Sequence, residues 1–177
     1  MTENQKIVTV FGSSRVKPES TTYKQAYEIG RLLAEAGFTV CNGGYAGIME
    51  ASLQGAKQSG GKTIGVTTEA FKQKNVSPWI DTEIHTENYL ERIEKLIQTA
   101  DAFVVIKGGI GTISELSLVW CLNVIGEIHK PIILIGDSWQ KAIKSLQKHL
   151  ILTNQELQAI TIVKTPKTAI ELLKRLL

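Results

Sequence analysis

The sequence Ala102-Phe103-Val104-Val105-Ile106-Lys107-Gly108-Gly109-Ile110-Gly111-Thr112 joins an apolar run to a cluster of glycines. The apolar run predicts a buried strand, and the glycines predict a tight loop at its end. An unusually apolar segment, Ile113 to Ile125, follows and predicts a helix. The segment is therefore typical of a strand, loop and helix unit.

The same pattern occurs twice more toward the N-terminus. A strand predicted at Ile7 to Phe11 stops at Gly12-Ser13-Ser14, and a strand predicted at Phe38 to Cys41 stops at Asn42-Gly43-Gly44-Tyr45-Ala46-Gly47. Apolar residues at helical spacing follow both loops, which predicts helices over about 21–36 and 48–59.

Strands and helices continue to alternate through the rest of the chain. Further strands are predicted at 63–67, 132–135 and 160–163, further helices at 89–100, 139–150 and from Pro166, and a loop with an edge strand at 80–84 within 68–87. Continuous Val, Ile and Leu strands that alternate with helices predict an α/β fold. The expected architecture is a doubly wound parallel sheet in three α/β/α layers, with residues 1–177 as a single domain.

Composition excludes several classes of protein. The chain has 177 residues, 43% of them hydrophobic and 21% charged, as in globular proteins. No segment approaches the ~18 apolar residues needed to span a membrane, and the polar start, residues 1–6, lacks a signal-peptide core. We therefore expect a cytoplasmic protein without a membrane partner.

Charge and cysteine content narrow the possible partners further. The net charge is +3, and no basic run indicates nucleic-acid binding. Cys41 and Cys121 have no partners at metal-ligand spacing, so we interpret both as small buried hydrophobic residues and predict no metal site. The expected ligand is a small molecule.

The three glycine loops all follow strands, and ligands of parallel sheets bind at the carboxyl ends of strands. Helix N-termini there offer unpaired backbone N–H groups and a partial positive charge, so a phosphate is the expected ligand. The alternative is that the glycines serve tight turns. Neither the Walker A pattern nor the dinucleotide fingerprint is present, which favours a nucleoside monophosphate as the ligand. The expected single domain is therefore a nucleotide-binding domain.

Two charged residues have both a structural and a functional interpretation. Thr112-Ile113-Ser114-Glu115 matches a capping box, in which the Glu side chain bonds back to the N-cap, and Glu115 could equally serve as a catalytic carboxylate. Arg92 lies about 100° from the centre of the apolar stripe of its helix, by the 3.6-residue period. A solvated flank is the structural interpretation of Arg92.

These residues resemble the Lonely Guy (LOG) family, whose related proteins were once labelled lysine decarboxylase-like and have a Rossmann-like fold. The family motif Pro-Gly-Gly-x-Gly-Thr-x-x-Glu is matched by the nine residues from Lys107 to Glu115. Phe11-Gly12-Ser13-Ser14 resembles the family's first phosphate-side loop, and Asn42 to Met49 resembles its second glycine stretch. The family's catalytic arginine lies fifteen residues before the motif, which corresponds to Arg92.

The resemblance implies hydrolysis of the N-glycosidic bond of AMP or N6-modified AMP, without a cofactor. Arg92 and Glu115 are the implied catalytic residues, and a homodimer or higher homo-oligomer built partly from the 113–125 helix is implied. The implied substrate- and phosphate-binding residues are Gly12, Ser13, Ser14, Gly43, Gly44, Gly47, Met49, Lys107, Gly108, Gly109, Ile110, Gly111 and Thr112.

Two residues depart from the family pattern. Lys107 replaces the motif's proline, and Asn42 replaces the first glycine of a triple. Both changes also resemble a divergent branch that includes molybdenum cofactor carrier proteins, which bind a pterin phosphate. A non-catalytic nucleotide or molybdopterin carrier is therefore the alternative function. The small net charge favours phosphate binding mainly by backbone N–H groups.

Overall fold

The computed structural model describes residues 5–177 and contains one seven-stranded sheet in which all neighbouring strands are parallel. Residues 1–4, part of the polar start, lie outside the described residues. The strands are β1 (Ile7–Phe11), β2 (Thr39–Asn42), β3 (Thr63–Thr68), β4 (Thr82–Thr86), β5 (Ala102–Val105), β6 (Ile132–Ile135) and β7 (Thr161–Val163).

Helices cover both faces of the sheet, which gives the predicted three layers. They are α1 (Thr21–Glu35), α2 (Ile48–Gln58), α3 (Tyr89–Thr99), α4 (Ile110–Val124), α5 (Asp137–His149), α6 (Asn154–Gln158) and α7 (Pro166–Leu176). Side chains of α1, α2 and α7 share one core cluster with Val8 and Val10. Those of α3, α4 and α5 share the other with Phe11 and Phe103, so alternate residues of the central strands face opposite layers.

The order of the strands indicates where a ligand of this sheet would bind. The order is β4-β3-β2-β1-β5-β6-β7, so the chain moves outward from β1 to β4 and then returns to the other side of β1. β1 and β5 are therefore neighbours at which the winding direction reverses, and ligands of such sheets bind there, beyond the carboxyl ends of the strands. The loops after β1 and β5 are two of the three glycine clusters.

The predicted fold class is confirmed, while several element boundaries differ. The edge strand lies at Thr82–Thr86 rather than 80–84, and the helix predicted to begin at Ile113 begins at Ile110. A short 3-10 helix, Glu69–Phe71, and helix α6 were not predicted. No helix within residues 5–177 has the length and apolar character needed to cross a membrane.

The two cysteines have different environments. Cys41 is fully buried as predicted, but Cys121 is exposed, so the prediction of burial is wrong for it. Helix α4 contacts the core through Thr112, Leu116 and Val119. Cys121 lies two residues beyond Val119, about 200° further around the helix, and therefore faces away from the sheet.

Candidate functional site

A cavity of about 1000 Å3 lies at the carboxyl ends of β1 and β5. Its walls come from the loops after these strands, the β2–α2 loop, the segment after β3, and the N-terminal turns of α1, α2, α3 and α4. Twelve residues implied by the motifs line it: Gly12, Ser13, Ser14, Met49, Arg92, Lys107, Gly108, Gly109, Ile110, Gly111, Thr112 and Glu115. Gly43, Gly44 and Gly47 are not on the cavity wall.

The N-terminus of α4 is the best candidate for an anion site. Gly109 is the N-cap residue and provides no side-chain hydrogen bond. Within residues 5–177, the backbone N–H groups of Ile110, Gly111 and Thr112 have no acceptor, and Ile113 makes the first helical bond, 3.0 Å to the Gly109 carbonyl. Three unpaired N–H groups at a helix N-terminus attract an anion.

The capping box predicted for Thr112 and Glu115 is wrong. Because α4 begins at Ile110, Thr112 lies inside the first turn, and its side chain is buried rather than free to cap. The glycine at position 109 starts the helix three residues earlier than the pattern indicated. A capping box does occur at Thr153 and Glu156, where it begins α6. The structural explanation of Glu115 is thereby removed.

Glycines in the β5–α4 loop have different steric roles, which predicts opposite effects of alanine. A Cβ on Gly108 would lie 2.0 Å from Thr112 Oγ1, whereas a Cβ on Gly111 has no neighbour within 4 Å. We expect Gly108→Ala to lower the free energy of unfolding by roughly 1–3 kcal/mol. Gly111→Ala should raise it by up to about 1 kcal/mol through helix propensity. Urea unfolding measures both, and equal stabilities would contradict this interpretation.

The glycines of the second loop brace the site rather than line it, whereas Tyr45 of the same loop lies on the cavity wall. The Asn42 side chain donates to the Met49 carbonyl at 2.9 Å and accepts from the Gly44 N–H at 2.8 Å. Gly47 has a φ of +72°, and a Cβ there would lie 2.5 Å from the Ser13 carbonyl oxygen. Asn42 therefore fixes the conformation of this loop, and Gly47 allows the loop to pack closely against the loop that follows β1.

Arg92 is buried and held in place from several sides, so a solvated flank is the wrong interpretation. Its Nε donates to the Val66 carbonyl at 2.7 Å, and its Nη2 lies 3.9 Å from the Met49 sulfur. A Cβ on Gly43 would lie 1.5 Å from the same Nη2. Gly43 is therefore needed for the close approach of the arginine to the β2–α2 loop.

Glu115 faces Arg92 across the cavity wall. Its Oε1 lies 3.9 Å from Arg92 Nη1, and the two side chains are 12% and 4% exposed. Burial raises the pKa of the Glu115 carboxyl to about 7, although the positive charge of Arg92 lowers it. Burial also lowers the pKa of Arg92, an effect that Glu115 opposes. A carboxyl group with a pKa near neutrality suits general acid or base chemistry.

The raised pKa of Glu115 predicts that stability falls as the pH rises. Between its ordinary pKa of 4.5 and about 7, the folded carboxyl keeps a proton that the unfolded chain releases. Wild-type protein should lose up to roughly 3 kcal/mol of unfolding free energy between pH 5 and pH 8 through this group. In urea unfolding at a series of pH values, Glu115→Gln should lack this part of the fall in unfolding free energy. Parallel pH profiles for the two proteins would contradict the prediction.

Several cavity residues were not identified from the sequence. The wall carries five cations, Arg15, Lys17, Lys74, Arg92 and Lys107, and one carboxylate, which is a formal charge of +4 against +3 for the whole chain. The wall is therefore more positive than the chain as a whole, and phosphate binding mainly by backbone N–H groups stays a prediction. The wall also contains Tyr45, Phe71 and Tyr89. Phe71 and Lys74 come from the segment after β3, which has no motif.

A family model described as the SLOG cluster4 family matches residues 5–170. The chain belongs to the SLOG cluster4 family. A similar relative is the cytokinin riboside 5'-monophosphate phosphoribohydrolase of Mycobacterium tuberculosis, which is 34% identical over 116 residues. The match covers 64% of this chain and 62% of that protein, so it spans less than two thirds of the relative. The resemblance to LOG proteins is confirmed.

Solved structures place this SLOG cluster4 chain near a second group. The molybdenum cofactor binding protein of Rippkaea orientalis is 28% identical, with a TM-score of 0.80 over 99% of both chains. The molybdenum cofactor carrier protein of Chlamydomonas reinhardtii is 24% identical, with a TM-score of 0.75 over 97% of this chain and 98% of that one. The second likeness shows the fold alone.

Proposed function

We propose that the chain is a phosphoribohydrolase-like protein that binds a nucleoside 5'-monophosphate, AMP or N6-modified AMP. In the proposed reaction it hydrolyses the N-glycosidic bond to free base and ribose 5-phosphate. The observation that carries the proposal is the Arg92 and Glu115 pair, which lines the same cavity as the unpaired N–H groups of Ile110, Gly111 and Thr112. The M. tuberculosis relative supports the same reaction class.

The positions of these groups on α4 match the order of groups in a nucleotide. Glu115 lies three residues after Thr112, about 4.5 Å along the helix axis. A 5'-phosphate bound at the N–H groups would direct its ribose along the first turn toward the carboxyl. A backbone anion site next to a carboxylate suits a substrate with a phosphate at one end and a sugar that becomes positively charged.

The proposed chemistry divides between the two charged residues. When the bond between the anomeric carbon and the base nitrogen breaks, its electron pair goes to the base and the sugar becomes cationic. Glu115 stabilises that cation and accepts a proton from the attacking water, whose hydroxyl bonds to the anomeric carbon. Arg92 stabilises the departing base, which takes up a proton from solvent as it leaves, and Glu115 returns to solvent the proton that it accepted from water.

Chromatography tests the proposed reaction directly. Purified protein is incubated with AMP or N6-isopentenyl-AMP, and free base and ribose 5-phosphate are quantified against time. Equal amounts of both products are expected. The Glu115→Gln variant, purified in the same way, controls for contaminating hydrolases. The proposal is wrong if the wild type releases no more base than this variant.

A second candidate is a non-catalytic carrier of a nucleotide or of molybdenum cofactor. The R. orientalis protein favours it, because that molybdenum cofactor binding protein is similar over 99% of both chains. Lys107 and Asn42, which depart from the LOG pattern, also favour it. A carrier should retain a phosphate-bearing ligand in native mass spectrometry. This candidate is wrong if no such ligand binds at millimolar concentration.

We also propose that the chain forms a homodimer or a higher homo-oligomer. Helix α4 and its C-cap residue expose a set of large apolar side chains: Ile110, Ile113, Leu118 and Ile125. An isolated chain leaves this apolar surface in water, whereas a second copy would cover it. Light scattering should give at least twice the 19.5 kDa mass of the chain. A single-chain mass would contradict the proposal.

A further inference from the structure

An aromatic cluster, defined here as Tyr45, Phe71 and Tyr89, forms one wall of the cavity. The Phe71 ring centroid lies 5.7 Å from that of Tyr45, edge-on, and 6.0 Å from that of Tyr89. The Lys74 ammonium lies over the Phe71 ring, 4.0 Å from its centroid. A turn fixes this arrangement, because the Lys74 N–H donates to the Phe71 carbonyl at 2.8 Å.

The aromatic cluster is connected to the anion site through the catalytic pair. The Arg92 guanidinium carbon lies 5.6 Å from the Tyr45 ring centroid and 5.7 Å from the Phe71 ring centroid. Arg92 also faces Glu115, at 3.9 Å. A ligand held at the start of α4 and passing Glu115 therefore comes close to the aromatic rings that contact Arg92.

We propose that the planar ring of the ligand binds at the aromatic cluster and stacks on Phe71 in the place that the Lys74 ammonium occupies. The inference rests on the proposed function for the ligand class, a phosphate joined to an aromatic base or pterin. Lys74 is then a specificity residue, because a ligand must present a flat ring to displace it.

The environments of the two side chains support an exchange. Phe71 is half-buried and fixed by aromatic neighbours, while the Tyr45 hydroxyl bonds to the backbone of Thr68. Lys74 is exposed and, within residues 5–177, has no carboxylate within 4 Å. Its contact with the ring face is therefore easily replaced, whereas the ring beneath stays in position.

The test compares two probes that differ in the ring. Dissociation constants of AMP and of ribose 5-phosphate are measured by calorimetry in a Glu115→Gln background, so that AMP survives the titration. The ratio of the two constants reports the contribution of the base, because effects of a mutation on the phosphate cancel. The base contribution is the factor by which AMP binds more tightly than ribose 5-phosphate. We expect Phe71→Ala to reduce this factor at least about fivefold. Phe71→Tyr should retain it.

Lysine variants test the exchange itself. Lys74→Ala should increase the base contribution about two- to fivefold, because the ring no longer displaces a cation. Lys72→Ala is the matched control, since Lys72 lies two residues away, pairs with Glu69 at 3.1 Å and is not on the cavity wall. Lys72→Ala should leave the ratio unchanged. Equal ratios in all variants would overturn the inference.

Aromatic NMR separates this inference from the proposed function. Ring-current shifts of Phe71 and Tyr45 are recorded with AMP and with neopterin monophosphate as probes. Shifts without base release would leave the stacking site standing and the hydrolase wrong. Base release with unshifted rings and unchanged ratios would leave the hydrolase standing and the stacking site wrong. If neither ring-bearing probe binds, the stacking site is wrong.

Discussion

Replacing Glu115 by Gln is expected to lower the rate of the proposed AMP hydrolysis at least about a hundredfold, since Gln cannot accept a proton or carry charge. The side chains are similar in shape, and the N–H groups of Ile110, Gly111 and Thr112 are untouched. The affinity for AMP should therefore change less than about threefold, as expected for a group that acts in the transition state. Single-turnover kinetics and calorimetry measure the two quantities separately.

The matched control for this variant is Glu94→Gln. Glu94 is an exposed carboxylate on α3 outside the cavity wall, and its side chain contacts Gln98. Its replacement should leave both turnover and affinity unchanged. Undiminished base release by Glu115→Gln would contradict a catalytic role for Glu115.

Replacing Arg92 by Lys is expected to lower turnover by about 10²–10³, the usual effect of losing one transition-state donor. A lysine retains a positive charge but cannot bond the Val66 carbonyl and face Glu115 through separate nitrogens. The loss of one of these two buried contacts should also cost roughly 1–3 kcal/mol of unfolding free energy. Initial rates and urea unfolding measure these effects.

Removing the positive charge of residue 92 allows a second measurement, the pKa of the Glu115 carboxyl. Because Arg92 lowers the pKa of Glu115, Arg92→Ala should raise that pKa above about 7, which a carbon-13 NMR titration measures. Arg31→Ala is the control, because Arg31 bonds to Glu28 and Glu35 on the outer surface of α1. An unchanged Glu115 titration in Arg92→Ala would contradict the proposed coupling.

The fold could be read from the sequence because its five central strands are buried on both faces. A continuous apolar run such as Ile132–Ile135 predicts a buried strand from its own residues alone. Strand β6 accordingly has the predicted bounds. The edge strand β4 is mostly exposed, so its sequence alternates less clearly and its predicted bounds were displaced. Helix α6 has five residues, too few for a periodic pattern.

The candidate site was predictable where a motif fixes the backbone and less so elsewhere. Gly108 to Glu115 lie on one loop and the first two turns of α4, so their spacing determines their common location. The start of α4 was missed because no side chain caps it. Phe71 and Lys74 reach the cavity because the tertiary fold places the segment after β3 beside it. No sequence motif in that segment predicts this position. The burial of Arg92 likewise depends on contacts distant in sequence.

The close packing of the loop after β1 against the β2–α2 loop determines which groups lose conformational entropy when a ligand binds. A Cβ on Gly12 would lie 2.5 Å from an Ile48 methyl carbon, and the Ile48 N–H donates to the Ser13 carbonyl at 3.0 Å. The backbone beneath the ligand therefore has little freedom to lose. Association should instead immobilise the long exposed side chains of Arg15, Lys17 and Lys107, each at about 0.5–1.5 kcal/mol.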